Sequence, residues 1–553
     1  MNPKTYIPSA LKNSVTKRFR VYLFFVILIL QLQISNLYAQ PVSQEWVRRF
    51  ADTSSVNWGA SSIKMDSLGF IYVLGETGND FGFLKYNPSG NLLIVATFWP
   101  GGFDAGGGSY FDVTPEGNVY VTGGVSINFD EWIYTVKFNT NGAFQWGKLY
   151  NPDNDDYSND IKVDKAGNII VVGGAVIGSS DFALTIKYNT NGDTLWTRHF
   201  RQSSQDAEHN AVTLDNLNNI FTTGILGLPG KCLIMKYSSA GNLDWFTTFT
   251  TDSLNSKIGS GIALDGLGNI YIVGTQVTPP NNDIHDYLLK MTIGGSVLWN
   301  KTFAGISNGG YMAGPVVSID GNSIYYITMS ANGTGGGGYS LATLKYNSAG
   351  DPQWVKMYNG GGVPATANYP GNIKLDKYGN IYVCGSGYFP TTGSDFVIIR
   401  YSPAGVQQWV AIYSGIITNG GDGASDLFID TSLNVYVTGS SKKSTNNGNV
   451  AVTIKYSQPV GITFNNSQVP QKYRLEQNYP NPFNNSTIIN YQLPGESRVS
   501  LLLYNLLGQD VKSMVSMRQQ AGSYSLVLNM ENYSSGIYFY KFIANGNVID
   551  TKK

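Results

Sequence analysis

Four acids crowd the stretch Asn151-Pro-Asp-Asn-Asp-Asp-Tyr-Ser-Asn-Asp160: Asp153, Asp155, Asp156 and Asp160. Hard oxygen ligands at alternate positions are what calcium takes, so calcium is the one cofactor this chain suggests. No glycine breaks the stretch and no bidentate Glu closes it, which keeps a plain solvated turn as the competing reading. A second set is aromatic: Phe129, Trp132, Tyr157, Tyr311, Tyr369, Tyr388 and Phe389 fall in or beside long, irregular connections. Flat apolar rings, some with polar tips, stack on sugars or grip a peptide; packing onto neighbouring elements is their alternative use. Catalytic patterns are thin. His199, His209 and His285 are the only histidines and none has a zinc spacing. Gly305-Ile-Ser307-Asn-Gly309 has the letters of a nucleophile elbow without its strand-turn-helix setting. Gly230-Lys231-Cys232 ends like a phosphate loop but lacks the upstream spacing and the Ser or Thr.

The elements that must position these residues repeat. Related segments start at Lys64, Asp112, Lys162, Thr213, Ala263, Ser318, Lys374 and Phe428. Each sets a turn residue (Asp66, Thr114, Asp164, Asp215, Asp265, Asp320, Asp376, Asp430) before an apolar run, then Lys-Tyr, Gly and a strand that usually carries Trp. A period of roughly fifty residues marks a repeat architecture. The recurrence of the turn Asp argues for capping of turn backbone rather than catalysis. Within the unit from Asp160 to Phe200, DIKVD, NIIVVGG, DFALTIKY and DTLWTRHF read as four short strands. Four-stranded units repeated radially are propeller blades.

The last unit stops after Tyr456 without its Trp strand, while SQEWVRRF from Ser43 matches that missing piece. The fold expected is therefore all-β: an eight-bladed propeller whose N-terminal strand closes the last blade, or a seven-bladed one if the degenerate sixth unit folds differently. The Asp turns and the Tyr-Asn-x-x-Gly turns share one face. The long variable loops share the other, where function is expected.

Glycine, 64 of 553 residues, belongs to turns, and charged residues are only 13%. Nucleic acid, which demands clustered Lys and Arg, is not an expected partner. Lys4, Lys12, Lys17, Arg18 and Arg20 precede the apolar run Val21 to Leu30 and small residues at Ser35 and Ala39. Residues 1–40 thus read as an export signal, too short in its apolar part to span a bilayer, with an uncleaved anchor as the alternative. No transmembrane segment is expected after cleavage. Without those cations, 32 basic residues face 37 acidic ones. Cys232 and Cys384 fall three units apart and are expected as small buried residues.

The domains expected are the signal over 1–40, the propeller over 41–456, a polar linker over 457–473 and a small Ig-like β-sandwich over 474–553. In that last part, Asn478-Tyr479-Pro480-Asn481-Pro482-Phe483, YQLP from Tyr491, LLLYNLLGQDV with Gly508, AGSYSLVLN, SGIYFYKF with Gly536 and the final Thr551-Lys-Lys553 closely resemble the type A C-terminal sorting domain of the type IX (Por) secretion system, found on cargo of Bacteroidota. The family usually runs one short apolar strand further, so the end is expected to be truncated. The resemblance implies passage through the periplasm, recognition by the secretion machinery at the outer membrane, and release or surface attachment. The repeats resemble bacterial SBBP-type repeats, a resemblance that implies fold and no activity. The function expected is a secreted or surface-displayed propeller that binds a glycan or protein, or serves as a scaffold. The alternative is a propeller enzyme, either a polysaccharide hydrolase or lyase or a quinone-dependent dehydrogenase, whose Gly-x-x-x-Trp element Gly192 to Trp196 resembles.

Overall fold

The computed structural model describes residues 42–50, 58–77, 80–98, 104–250, 255–280, 283–303, 316–319, 325–332, 339–360, 368–443, 448–458, 463–465 and 470–553, the last apart from 485, 496, 520–521 and 531–532. The export signal expected over 1–40, Asp320 and Tyr311 lie outside these residues. Every regular element described is a β-strand. Between Ser43 and Ser457 the strands form eight four-stranded antiparallel sheets, the first seven in sequence order and the seventh with one short extra strand. The third is representative: Asn154–Val163, Ile169–Ile177, Ser180–Tyr188 and Thr194–Phe200. The sixth is a full member, Val316–Ile319, Tyr325–Asn332, Tyr339–Tyr346 and Pro352–Tyr358.

The first strands of the eight sheets start at Trp58, Asp104, Asn154, Ala207, Ser256, Val316, Tyr369 and Gly423. Each touches the first strands of both neighbours, and the eighth sheet's touches the first's, so they form a closed inner ring. Polar side chains stitch that ring from sheet to sheet. Asn372 Nδ2 donates to Asp426 Oδ1 (2.6 Å), Asp426 Oδ2 accepts from Ile63 N (3.0 Å), and Lys64 Nζ reaches Asp112 (2.8 Å). Asp112 Oδ2 then accepts from Val163 N (2.8 Å), Asp160 Oδ2 from Val212 N (3.1 Å), and Asn210 Nδ2 donates to Gly259 O (3.0 Å).

The repeated residues are spent on the seams between sheets. Asp265 Oδ1 accepts from Leu267 N and Asn269 N, capping its turn as expected, while Oδ2 accepts from Tyr271 OH (2.9 Å). Lys290 lies over Tyr271 and donates to Ser348 O (3.2 Å) in the next sheet, and Trp299 Nε1 donates to the same carbonyl (3.1 Å). The Trp ring lies against the turn glycine of that next sheet: Trp299 on Gly350, Trp196 on Gly241, Trp146 on Gly192. Gly192 and Trp196 therefore belong to two different seams.

The chain's first described strand, Ser43–Phe50, completes the eighth sheet by pairing with Asn449–Ser457, Trp46 opposite Lys455 and Val47 opposite Ile454. The stretch expected as a linker does more than link. Ser457 pairs with Ser43, buried Gln458 accepts from Trp409 Nε1 (3.1 Å) and donates to Leu433 O (2.7 Å), and Thr463–Asn465 pairs with Gly522–Asn529. The C-terminal part is two four-stranded antiparallel sheets around a core that includes Ile489, Tyr491, Leu501, Leu503, Leu526 and Phe542. Cys232 and Cys384 are free and buried.

Candidate functional site

The hairpins joining second to third strands and the links from sheet to sheet share the irregular face. Three of the four acids near Asn154 serve it, in separate ways. Asp153 Oδ2 accepts from Gly178 N (2.6 Å) in the third sheet's hairpin, and Asp155 Oδ1 accepts from Glu131 N (3.1 Å) in the second's. Asp156 is fully buried; Oδ1 accepts from Val176 N (3.1 Å) and Oδ2 has no hydrogen-bond partner. Its burial, with added repulsion from Asp155 and Asp153 outweighing the Val176 bond, pushes its pKa up to about 7. Asp160 belongs to the inner ring, bonded to Lys162 (2.8 Å). The four carboxylates do not converge, and among the described residues no three His, Cys, Asp or Glu side chains gather to hold a metal.

The aromatics divide into two groups on separate sheets. Phe129, at the tip of the second sheet's hairpin, is fully exposed, whereas Trp132 is partly buried against that sheet's core. Tyr157 is half-buried on the third sheet's first strand, hydrogen-bonded to Glu208 of the fourth. Tyr369 and Tyr388 are exposed on the seventh sheet, and Phe389 packs against its core.

Other residues of this region, of which only His209 is singled out in the sequence, are buried or bonded in ways that bear on this face. Glu208 receives Asn159 Nδ2 (2.8 Å) as well as Tyr157; burial raises its pKa against those two bonds. Asp286 is fully buried with neither carboxylate oxygen partnered, and burial pushes its pKa up to about 7. His209 is buried and its pKa falls to about 3 for the same reason. Asn368 and Asp422 do what Asp156 does, accepting from Tyr388 N (3.2 Å) and Lys442 N (3.1 Å). Each of the three stands eight places before its turn Asp (Asp164, Asp376, Asp430), a register that aligned repeats display.

In the C-terminal part, buried Asn478 organises its motif. Its Nδ2 donates to Thr487 Oγ1 (3.0 Å), its Oδ1 accepts from Asn481 Nδ2 (3.1 Å), and Asn481 also donates to Lys553 O (3.0 Å). Tyr479 is exposed, the Tyr479–Pro480 and Asn481–Pro482 bonds are cis, and Phe483 packs on the core. Gly508 has a positive φ of 77° in the turn that Asn505 caps, while Gly536 lies in open space.

Residues 477–553 match the family model of the secretion system C-terminal sorting domain, and residues 244–275 match that of a beta-propeller repeat. No curated protein matches the chain. Similar solved structures include Sqt1 from Chaetomium thermophilum (9% identity, 75% of this chain and 99% of that one, TM-score 0.44). Others are an ulvan lyase of polysaccharide lyase family PL25 (10%, 68% and 97%, 0.40) and a Bacteroides caccae protein of unknown function (12%, 55% and 97%, 0.30). The sorting domain marks the chain for export by type IX secretion to the cell surface or extracellular space and implies contact with that machinery. No helix among the described residues is long and apolar enough to cross a membrane.

Proposed function

We propose that the chain is an exported eight-bladed propeller, followed by an Ig-like sandwich that serves as its sorting tail, and that its irregular face binds a glycan or protein outside the cell. Residues 1–40 act as its export signal in this reading. One observation carries it: the repeated Asp, Tyr, Lys, Gly and Trp are consumed by seams, whereas Phe129 at a hairpin tip and Tyr369 and Tyr388 at strand ends are exposed to solvent. A rigid wheel presenting exposed rings on its irregular face is the arrangement of a binding scaffold.

The test is a glycan array and surface-protein overlay with the exported chain and its Phe129→Ala and Tyr388→Ala variants. A ligand whose retention falls in either folded variant supports the reading; retention unchanged in both removes it. The enzyme alternative draws on Glu208, a carboxyl of raised pKa held by Tyr157 and Asn159. Polysaccharide cleavage abolished by Glu208→Gln would favour it. The dehydrogenase reading has no comparable support, since Gly192 and Trp196 are spent on packing.

A further inference from the structure

Charge is unevenly spread on the irregular face. From the second sheet's hairpin to the fourth's, the rim carries Asp130, Glu131, Asp153, Asp155, Asp181 and Asp206. The same connections hold two cations, Arg201 and Lys231, and Arg201 already lies 3.7 Å from Asp206. Asp153 and Asp155 are pinned by Gly178 N and Glu131 N, and Asp206 Oδ1 accepts from Asp181 N (3.2 Å), so the acids interlock along an arc across three sheets. Acids held along one rim with few cations among them favour an approaching positive charge.

An independent observation lies within the arc. Asp156, on the third sheet's first strand next to Asp155, is fully buried and bonded to the base of the hairpin that Asp153 caps, and its Oδ2 lacks any donor. A buried acceptor left without a partner is costly. Apolar side chains stand at the two ends, Phe129 on the second sheet's hairpin and Leu228 on the fourth's, both almost wholly exposed. Asn128 and Phe129 have φ of 55° and 74°, the paired left-handed conformations of a hairpin turn that favours Asn and Gly. A bulky ring there is unusual.

We propose that this arc docks a basic segment of a partner protein, lysine or arginine side chains over the carboxylates and an aliphatic side chain against Phe129. The inference rests on the binding reading above and names its partner class. A point ion fits poorly, because the carboxylates are directed at separate backbone groups; an extended chain with several long cationic side chains fits their spread.

The test uses the full chain and fluorescence anisotropy of a labelled peptide of alternating lysine and leucine, beside the same peptide with glutamate for lysine. Only the lysine peptide is expected to bind, with affinity falling about tenfold from low to physiological salt. Asp130→Lys with Asp181→Lys should weaken it about tenfold and Phe129→Ala about fivefold. Glu116→Lys, a reversal on the opposite face, should leave it unchanged; melting curves verify that each variant is folded. Equal binding of both peptides, or folded arc variants that bind as the parent does, overturns the proposal. So does stoichiometric calcium uptake that displaces the peptide, which would make the arc a metal site. If a glycan or protein ligand is lost with Tyr388→Ala but indifferent to the arc variants, this inference fails and the binding reading stands.

Discussion

Gly192 has φ +82°, and a Cβ there would sit 2.7 Å from the Trp146 ring of the preceding sheet, whereas Gly178 has φ +66° with nothing within 4 Å. Gly178→Ala should therefore cost about 1 kcal/mol of backbone strain alone. Gly192→Ala should cost about 3 kcal/mol, because the ring must move as well; urea unfolding of the two variants separates the terms. Asp286 makes the second prediction at this scale. Its folded pKa of about 7 lies above the ordinary 3.8, so the folded state binds more protons than the unfolded one between those values, and stability falls as pH rises through that window. Asp286→Asn removes the ionisation. It should stabilise the protein at pH 7.5 by up to about 4 kcal/mol and change little near pH 4, so its melting temperature, compared with the parent's across this range, should show a shallower decline.

At the scale of elements, the third sheet shows how a seam tolerates change. Where the first, fifth, seventh and eighth sheets place a Tyr that donates to the turn Asp, it has Ile170, and Lys187 pairs directly with Asp164 (2.9 Å), both side chains almost wholly buried. The join that closes the ring is the strand Ser43–Phe50. Trp46 packs against Tyr86 and Tyr436 and lies under Gly90 of the first sheet. Trp46→Ala should cost about 3 kcal/mol, a loss read from chemical denaturation of the full chain. The closing strand was legible in the sequence because SQEWVRRF repeats a pattern seen in other units. The capping by turn Asp residues was legible for the same reason. The separation of Asp153, Asp155, Asp156 and Asp160 was not: neighbours in sequence are directed to different sheets by strand alternation and by register shifts such as that between Ser158 and Asp160. The two groups of aromatics were equally hidden, since a list of loop residues does not say which sheets bring them together. Asp286 and Glu208 gave no local signal, because burial by a neighbouring sheet is a tertiary property.

At the scale of the molecule, the ring and the C-terminal part have separate cores. Calorimetry should show two transitions, and Leu501→Ala in the second core should lower one by several degrees while leaving the other in place; a single merged transition that moves as a whole would contradict this. The circle is held by covalent chain everywhere except inside its eighth sheet, where Glu45 and Ser457, 412 residues apart, hydrogen-bond across the join. An emerging polypeptide must therefore keep its leading strand waiting until the trailing one arrives. Assembly of the wheel is governed by so distant a meeting that it cannot finish during synthesis or threading of its first seven sheets. A carrier that delivered the chain piecemeal would have to guard an unpaired edge for the whole passage.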